Sequence, residues 1–368
     1  MQDPKEEYAV LRVPPEHLKR VRRSPKHRLI IPNLQHWIDS NSFRASSAST
    51  VNGDASAVFS SLVSNFRIDR YQPLNEVYRY LEEVSKVNNK VTLFDLGTSH
   101  EGRKIKAIEI IGNPSDKRLV WIDGCTHARE WITVATALYI IEQAIITRER
   151  TNFVIVPVLN PDGYEYTWSH DRLWRKNRRP KSSARSLNDN DNSDNCNGVD
   201  LNRNYDISFG GTGTSSNPCS HLYSGPSALS EPESQAVANL LWAIKGQVQM
   251  FLSLHSFNQL WSCPFAYTTN VTPHYQHHMN VLKAIQDAVY RTNGVMYKIG
   301  QLSTALYVGS GFALDWAYNN ARIVNSYLVE LRDEGQHGFL LPVDQIMPTA
   351  TETWNGLKAG IAKINGEL

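Results

Sequence analysis

From about residue 66 to the C-terminus, segments of helical spacing alternate with short apolar strands, and this alternation constrains the fold more than any other feature of the chain. Residues 75–88 have helical spacing, 91–96 and 105–111 read as strands, 118–123 is a short apolar strand and 132–146 an apolar helix. A buried-looking strand at 152–159 is stopped by Asn160-Pro161-Asp162-Gly163, a strong turn signal. Ser230-Glu231-Pro232-Glu233 reads as a capping box opening a helix to about residue 245. A strand at 249–254, a helix at 275–291, a long strand at 323–331 and a last helix from near residue 349 complete the pattern. Strands alternating with helices predict an α/β sheet covered on both faces. In such folds ligands bind outside the strand ends.

The chain has 368 residues, long for one core, so a large domain with a smaller appendage is expected. The first 63 residues differ from the rest. Apolar runs at 8–13 and 29–38 flank a basic patch at 19–28, and a Ser/Ala/Gly/Asn-rich linker follows at 40–56. Hydrophobic residues make up 41% and charged residues 20%, as in soluble globular proteins. No apolar run is long enough to span a membrane. A net charge of +2, 38 basic against 36 acidic residues, gives no global attraction to nucleic acid. The start of the chain, Met1-Gln2-Asp3-Pro4-Lys5, has no signal-peptide core and leaves the compartment open.

The chemistry concentrates at strand ends. In Asp123-Gly124-Cys125-Thr126-His127-Ala128-Arg129-Glu130-Trp131, His127 and Glu130 are three apart and share one face of a helical turn, where they can chelate one metal ion. His255, ending the strand at 249–254, is a candidate third ligand. Two His and one Glu leave the fourth tetrahedral position to water, the pattern of a catalytic zinc site. Neither piece is specific alone, since a strand-end His is more often simply hydrogen-bonded.

Taken with their surroundings, these residues closely resemble the pancreatic-type zinc carboxypeptidases of the A/B subfamily. The resemblance runs from about residue 66 to 368 and rests on His-Ala-Arg-Glu-Trp (127–131), Pro-Val-Leu-Asn-Pro-Asp-Gly-Tyr (157–164), Arg-Leu-Trp-Arg-Lys-Asn (172–177), Val-Asp-Leu-Asn-Arg-Asn (199–204), Phe-Leu-Ser-Leu-His-Ser (251–256) and Glu-Leu-Arg-Asp (330–333). It implies an α/β fold: a single large domain at 64–368 with a mixed central β-sheet flanked by helices on both faces, and a small prosegment-like appendage at 1–63. It implies one Zn2+ per chain held by His127, Glu130 and His255. Glu330 would be the general base, its rival reading being a surface carboxylate paired with Arg332. Arg175 would stabilise the oxyanion, while Arg178, Arg179 and Lys181 in the same basic cluster would be solvated.

Free carboxylate recognition falls by the same resemblance to Arg203, through paired hydrogen bonds, with Asn202 beside it and Tyr307 closing over the bound end. Arg129, Phe257 and Phe339 match outer subsites. Leu314 stands at the position that separates A from B types, and it cannot pair a cation. An apolar preference follows, with Leu302, Ala305, Ala313 and Leu328 lining the same pocket. Phe312 stands where the pancreatic A form has glycine, and Ser262 is more polar than expected, so medium aliphatics should be favoured over large aromatics.

Of the four cysteines, Cys196 and Cys219 match the family's disulfide, which would close a loop of about 24 residues and contribute roughly 3 kcal/mol. Cys125 and Cys263 have no counterpart and are expected as buried free thiols. The disulfide, with the sequon at Asn270, implies secretion or another oxidising compartment. Residues 8–13 resemble the first strand of the family's inhibitory prosegment and 28–41 its last strand and the start of its connecting helix. The middle is missing, and Arg44 with the following loop offers a processing site. The insertion at 188–195 reads as a surface loop, not a calcium site. The expected partners are peptide or protein C-termini and an activating protease, with no nucleic acid and no membrane, for a monomer. The rival readings are a pseudoenzyme that binds peptides, a zinc amidohydrolase, and a secreted inhibitor or binding module built on the N-terminal segment, which explains too little of the chain. The first should have lost Glu330, Arg175 or a ligand, and the second need not keep Asn202, Arg203 and Tyr307.

Overall fold

The computed structural model describes residues 13, 17–21, 31, 33–41, 62–147, 149–181 and 196–367. The strands are β1 (Val91–Thr98), β2 (Lys104–Ile110), β3 (Leu119–Asp123), β4 (Asn152–Val156), β5 (Val248–Ser256), β6 (Leu260–Cys263), β7 (Lys298–Gln301) and β8 (Ser326–Leu331). The helices are α1 (Leu18–Val21), α2 (Leu34–Asn41), α3 (Leu74–Val87), α4 (Trp131–Ile146), α5 (Pro161–Ser169), α6 (Pro232–Ile244), α7 (Tyr275–Asn293), α8 (Leu302–Ala305), α9 (Ala313–Asn319) and α10 (Ile346–Ile364). The strands form one mixed sheet in the order β1-β2-β4-β3-β5-β8-β6-β7, with β4, β3, β5 and β8 mutually parallel at its centre.

Successive side chains of a strand point to opposite faces, and here that alternation builds two cores. Val120, Ile122, Ile155, Leu252, Leu254 and Val329 face the layer of α3, α4, α7 and α10. Leu119, Trp121, Val154, Val156 and Phe251 face α6 and α9. The same period places Ser253 and His255 of β5 on the α6/α9 side, and the β5–β8 register sets His255 opposite Glu330. A one-residue slip would turn both functional side chains into the other layer. β4 and β5 lie on either side of β3, so the strand order reverses there and opens a crevice beyond the carboxyl ends.

Several boundaries differ from the sequence expectation. β4 ends at Val156, and Asn160-Pro161-Asp162-Gly163 opens α5, with Asn160 accepting from the Gly163 N–H and proline at the first turn. Ser230 caps nothing: Glu231 is the N-cap of α6 without a side-chain capping bond, and the Ser230 hydroxyl donates to the Glu231 carboxylate. β8 starts at Ser326 and α10 at Ile346. β6 and β7, four residues each, are too short to stand out by period. In the N-terminal region, residues 34–41 form α2, and its Trp37 packs partly buried against the larger core. The run at 8–12, most of the linker, Arg44 and the insertion at 188–195 lie outside the described residues.

Candidate active site

Glu130 is the residue before α4, and a tight turn, Glu130 N–H to His127 C=O at 3.1 Å, brings the pair together ahead of the helix rather than on it. Asn160 fixes this turn. Its side-chain amide donates to the carbonyls of Thr126 (3.3 Å) and Lys176 (3.1 Å) while its oxygen caps α5. Gly163 has to be glycine, because a β-carbon there would lie 2.6 Å from the Lys176 carbonyl oxygen.

His127, Glu130 and His255 converge as the sequence suggested. His127 Nδ1 lies 2.8 Å from Glu130 Oε1, and His255 Nδ1 lies 3.2 Å from both Glu130 Oε2 and His127 Nδ1. The outer nitrogens are occupied. His127 Nε2 faces Asp200 Oδ1 at 3.1 Å, an acceptor that suits a proton on that nitrogen. His255 Nε2 faces the Ser253 hydroxyl at 3.1 Å, which itself donates to Asp123 Oδ1 at 2.6 Å. With protons on the outer nitrogens, both Nδ1 atoms turn lone pairs into the same buried corner as the Glu130 carboxylate, an arrangement that a shared cation would stabilise. Three inward-facing acceptors of this kind fit a bound cation, with their outer hydrogen bonds fixing ring orientation. Burial, then the Arg175 charge, depress the His127 pKa and favour the neutral, ligating ring. Burial works to raise Glu130, but His127 and His255 outweigh it and hold the carboxyl low.

Asp200 had no role in the sequence reading, although it stands in the 199–204 block. It is fully buried and joins two candidate residues: Oδ1 takes His127 and the Asn202 N–H, while Oδ2 takes Arg175 Nε (3.0 Å) and Nη2 (2.8 Å). Burial opposes its charge, yet Arg175, Arg203 and His127 hold it well below the usual carboxylate range. An acid two residues before the Asn-Arg pair, needed to orient a ligating His, was the available signal.

Glu330 projects at the end of β8 beside His255. Burial, with Glu130 also pushing upward, raises its carboxyl to about 8 against the pull of His255. It is not the partner of Arg332, which pairs instead with Glu352 and Gln345. Arg203 is fully buried. It donates to the Gly213 carbonyl (2.9 Å), the Asn202 carbonyl (2.8 Å) and the Tyr307 hydroxyl (2.9 Å). Gly311, at φ +76°, lets its chain pass 2.2 Å from the Arg203 carbonyl, measured to where a β-carbon would stand. Asn202 links the regions: its Nδ2 is 3.4 Å from His255 Nε2 and its Oδ1 accepts from the Ala313 N–H. Arg129, Phe339 and Phe257 form one stack, with the guanidinium 4.1 Å from the Phe339 centroid and the two phenyl rings 5.0 Å apart.

The basic cluster is not a solvated run. Arg178 lies 3.7 Å from the Tyr166 centroid and 4.6 Å from that of Trp174, two rings that meet edge to face, and Arg179 pairs with buried Glu231 at 2.8 Å. That pair belongs to a second His/Glu group, His100, Glu231 and Glu233, whose carboxylates are bridged by the Asn177 amide. Cys196 and Cys219 form a disulfide, and Cys125 and Cys263 are buried free thiols. Among the described residues no helix is long and apolar enough to cross a membrane.

A family profile for zinc carboxypeptidases matches residues 77–356. Carboxypeptidase A2 of Mus musculus is 37% identical over 306 residues, spanning 80% of this chain and 70% of that protein. Carboxypeptidase B of Astacus astacus is 33% identical over 296 residues, 78% of this chain and 95% of its own length. Among solved structures, carboxypeptidase A from Helicoverpa armigera superposes with a TM-score of 0.74 at 31% identity, over 82% of this chain and 75% of that one. Bovine thrombin-activatable fibrinolysis inhibitor, in complex with a tick carboxypeptidase inhibitor, gives 0.75 at 31%, over 82% and 99%. With its candidate zinc triad His127, Glu130 and His255, this chain belongs to the zinc carboxypeptidase family and is a metallocarboxypeptidase.

Proposed function

We propose that the protein is an exopeptidase that hydrolyses the C-terminal peptide bond of peptides and proteins, with Glu330 as general base. The observation that carries this reading is the convergence of His127, Glu130 and His255 with Glu330 on the adjoining strand end. Zinc held there supplies Lewis-acid polarisation of the scissile carbonyl and acidifies water at the site. Glu330 removes a proton from the attacking water and delivers it to the leaving amine, a role suited to a carboxyl raised toward neutrality. Arg175, braced by Asp200, donates to the oxyanion that develops on the carbonyl. Arg203, with Asn202 and Tyr307, takes the free carboxylate, the Tyr307 hydroxyl yielding its place on the guanidinium. Arg129, Phe257 and Phe339 hold the preceding residues.

The departing residue is apolar rather than Lys or Arg. Leu302, Leu314 and Leu328 offer no carboxylate, and the Ser262 hydroxyl is spent on the Leu328 carbonyl at 2.9 Å. The Asp315 carboxylate, next in sequence to Leu314, is taken by the N–H groups of Ala266 and Tyr267. Residues 1–63 act as a shortened prosegment. In support, Trp37 of α2 lies 5.9 Å from the guanidinium of Arg172, which donates to the carbonyls of Arg129 and Phe339 beside the outer subsites. The Cys196–Cys219 disulfide suits a secreted monomer activated by a protease. The test is hydrolysis of N-blocked dipeptides ending in Ala, Leu, Phe and Lys, with and without chelator, before and after limited trypsin. Chelator-sensitive release of apolar residues with Lys inert is expected. A zinc-loaded chain that releases nothing after trypsin would remove the exopeptidase reading.

A further inference from the structure

Of the residues expected to line an open recess for the departing side chain, Leu302, Leu314 and Leu328 form instead one contiguous apolar cluster with Phe312, against which the partly buried Ala305 packs. Leu314 and Ala266 are 0% exposed, Leu302 and Leu328 1%, and Phe312 itself 3%. The walls of an open recess wide enough for a leucine or phenylalanine side chain are reached by water, and these are not.

The Phe312 ring is held from two sides. The Arg203 guanidinium lies 4.3 Å from its centroid, a cation–π contact with the very group that would bind the substrate carboxylate. At the edge of the ring is Gly309, where a β-carbon would stand 2.6 Å from Phe312 Cε2, so the ring occupies the space that a side chain at 309 would need. The ring therefore lies directly beneath the carboxylate anchor, among the residues that would otherwise meet the departing side chain.

We infer that Phe312 fills this recess, so that the peptidase releases C-terminal residues with small side chains (Gly, Ala or Ser) and Leu314 does not touch the substrate. This rests on the exopeptidase reading above and is narrower than the medium-aliphatic preference expected from the sequence. It moves the specificity determinant two residues along the chain. At 314 a carboxylate would be screened by the ring, whereas at 312 the loss of the ring opens the recess down to Leu314. Each methylene that a pocket admits or refuses is worth about 10- to 200-fold in discrimination, and a leucine or phenylalanine side chain brings several.

The test uses the zinc-loaded full chain, trypsin-treated where needed, and the kcat/KM values for N-blocked dipeptides ending in Ala, Leu, Phe and Lys. The wild type is expected to release Ala roughly 100-fold better than Leu or Phe. Phe312→Gly and Phe312→Ala should each raise Phe release by roughly the same factor. Leu314→Asp alone should gain no release of Lys, whereas Leu314→Asp combined with Phe312→Gly should gain it. Wild-type release of Phe or Leu on a par with Ala overturns the inference without any variant having to fold. Lys release by Leu314→Asp alone overturns it equally. Chelator-sensitive release of Phe as efficient as that of Ala would sink this inference and leave the exopeptidase reading intact, whereas no release of any residue would sink both.

Discussion

The metal corner and the side-chain recess are joined by Asn202, which touches His255 on one side and accepts from Ala313 on the other, yet they are built on opposite principles. In the corner, polar groups are over-determined. Each ligating ring is held by a second acceptor, each acceptor by a third group, and the chain His255–Ser253–Asp123 extends to the Trp121 indole at 2.7 Å. Geometry is set there by strand register and hydrogen-bond direction, which tolerate little variation. In the recess, hydrogen bonds of Ser262, Asn202 and Asp315 hold the surrounding backbone, but the space itself is shaped by apolar side chains. One ring decides how much space remains, and apolar cores accept many side chains of suitable volume. A corner of the first kind should lose its chemistry with any one member, while a recess of the second kind should change what it admits with the volume of one side chain.

The sharpest way to break this comparison is to remove a member of the corner. Glu130→Gln should abolish stoichiometric zinc, measured by elemental analysis, and take hydrolysis to background, because two neutral rings and an amide bind the ion poorly. Retained zinc with full activity would mean that the corner is not over-determined. Glu330→Gln comes next. It should lower kcat by roughly 100- to 10,000-fold while zinc content and KM stay close to wild type. An equal loss of zinc would place Glu330 among the ligands instead of beside them. Asp200→Asn is the third. It leaves every proposed ligand in place but replaces a charged acceptor of His127 and Arg175 by an amide, and a loss of about 10- to 100-fold in zinc affinity is expected from such a partner. Chelator competition measures it, and an unchanged affinity would show that the outer hydrogen bonds do not hold the ring.

The same division explains what was legible in the sequence. The triad was legible because His127, Glu130 and His255 stand in ordered blocks that resemble the zinc carboxypeptidases; spacing and strand position alone were too weak a signal. The layered α/β fold was legible because strand and helix periods differ. The turn geometry of Glu130 was not, since three-residue spacing fits both a helix and a tight turn. β6 and β7 escaped because four residues carry too little period to separate a strand from a loop. Asp200 escaped because its partners are 25 and 73 residues away, and only folding brings them together. The capping box failed for a related reason. Glu231 and Glu233 are drawn into long-range bonds with His100, Asn177 and Arg179, which outcompete the local cap.

The smallest expected effect concerns the basic cluster, where arginines near one another in sequence have separate tasks. Arg172 stacks 3.6 Å from the Trp131 centroid and Arg175 pairs with Asp200, whereas Arg178 lies against both Tyr166 and Trp174, its nearest carboxylate being Glu101 at 3.8 Å. Glu101 is well exposed, so that ion pair adds little. The stacking of a planar cation on two rings is the larger contribution, about 0.5–2 kcal/mol for a partly desolvated site. Arg178→Ala should therefore lower unfolding stability by about that amount in urea titration and leave kcat/KM for the best dipeptide unchanged. Arg178→Lys separates the causes: the charge remains, but the plane that stacks is lost. If lysine restores less than half of the loss, stacking holds this arginine. If it restores nearly all of it, charge does, and the cluster would follow the electrostatic logic of the metal corner rather than the packing logic of the recess.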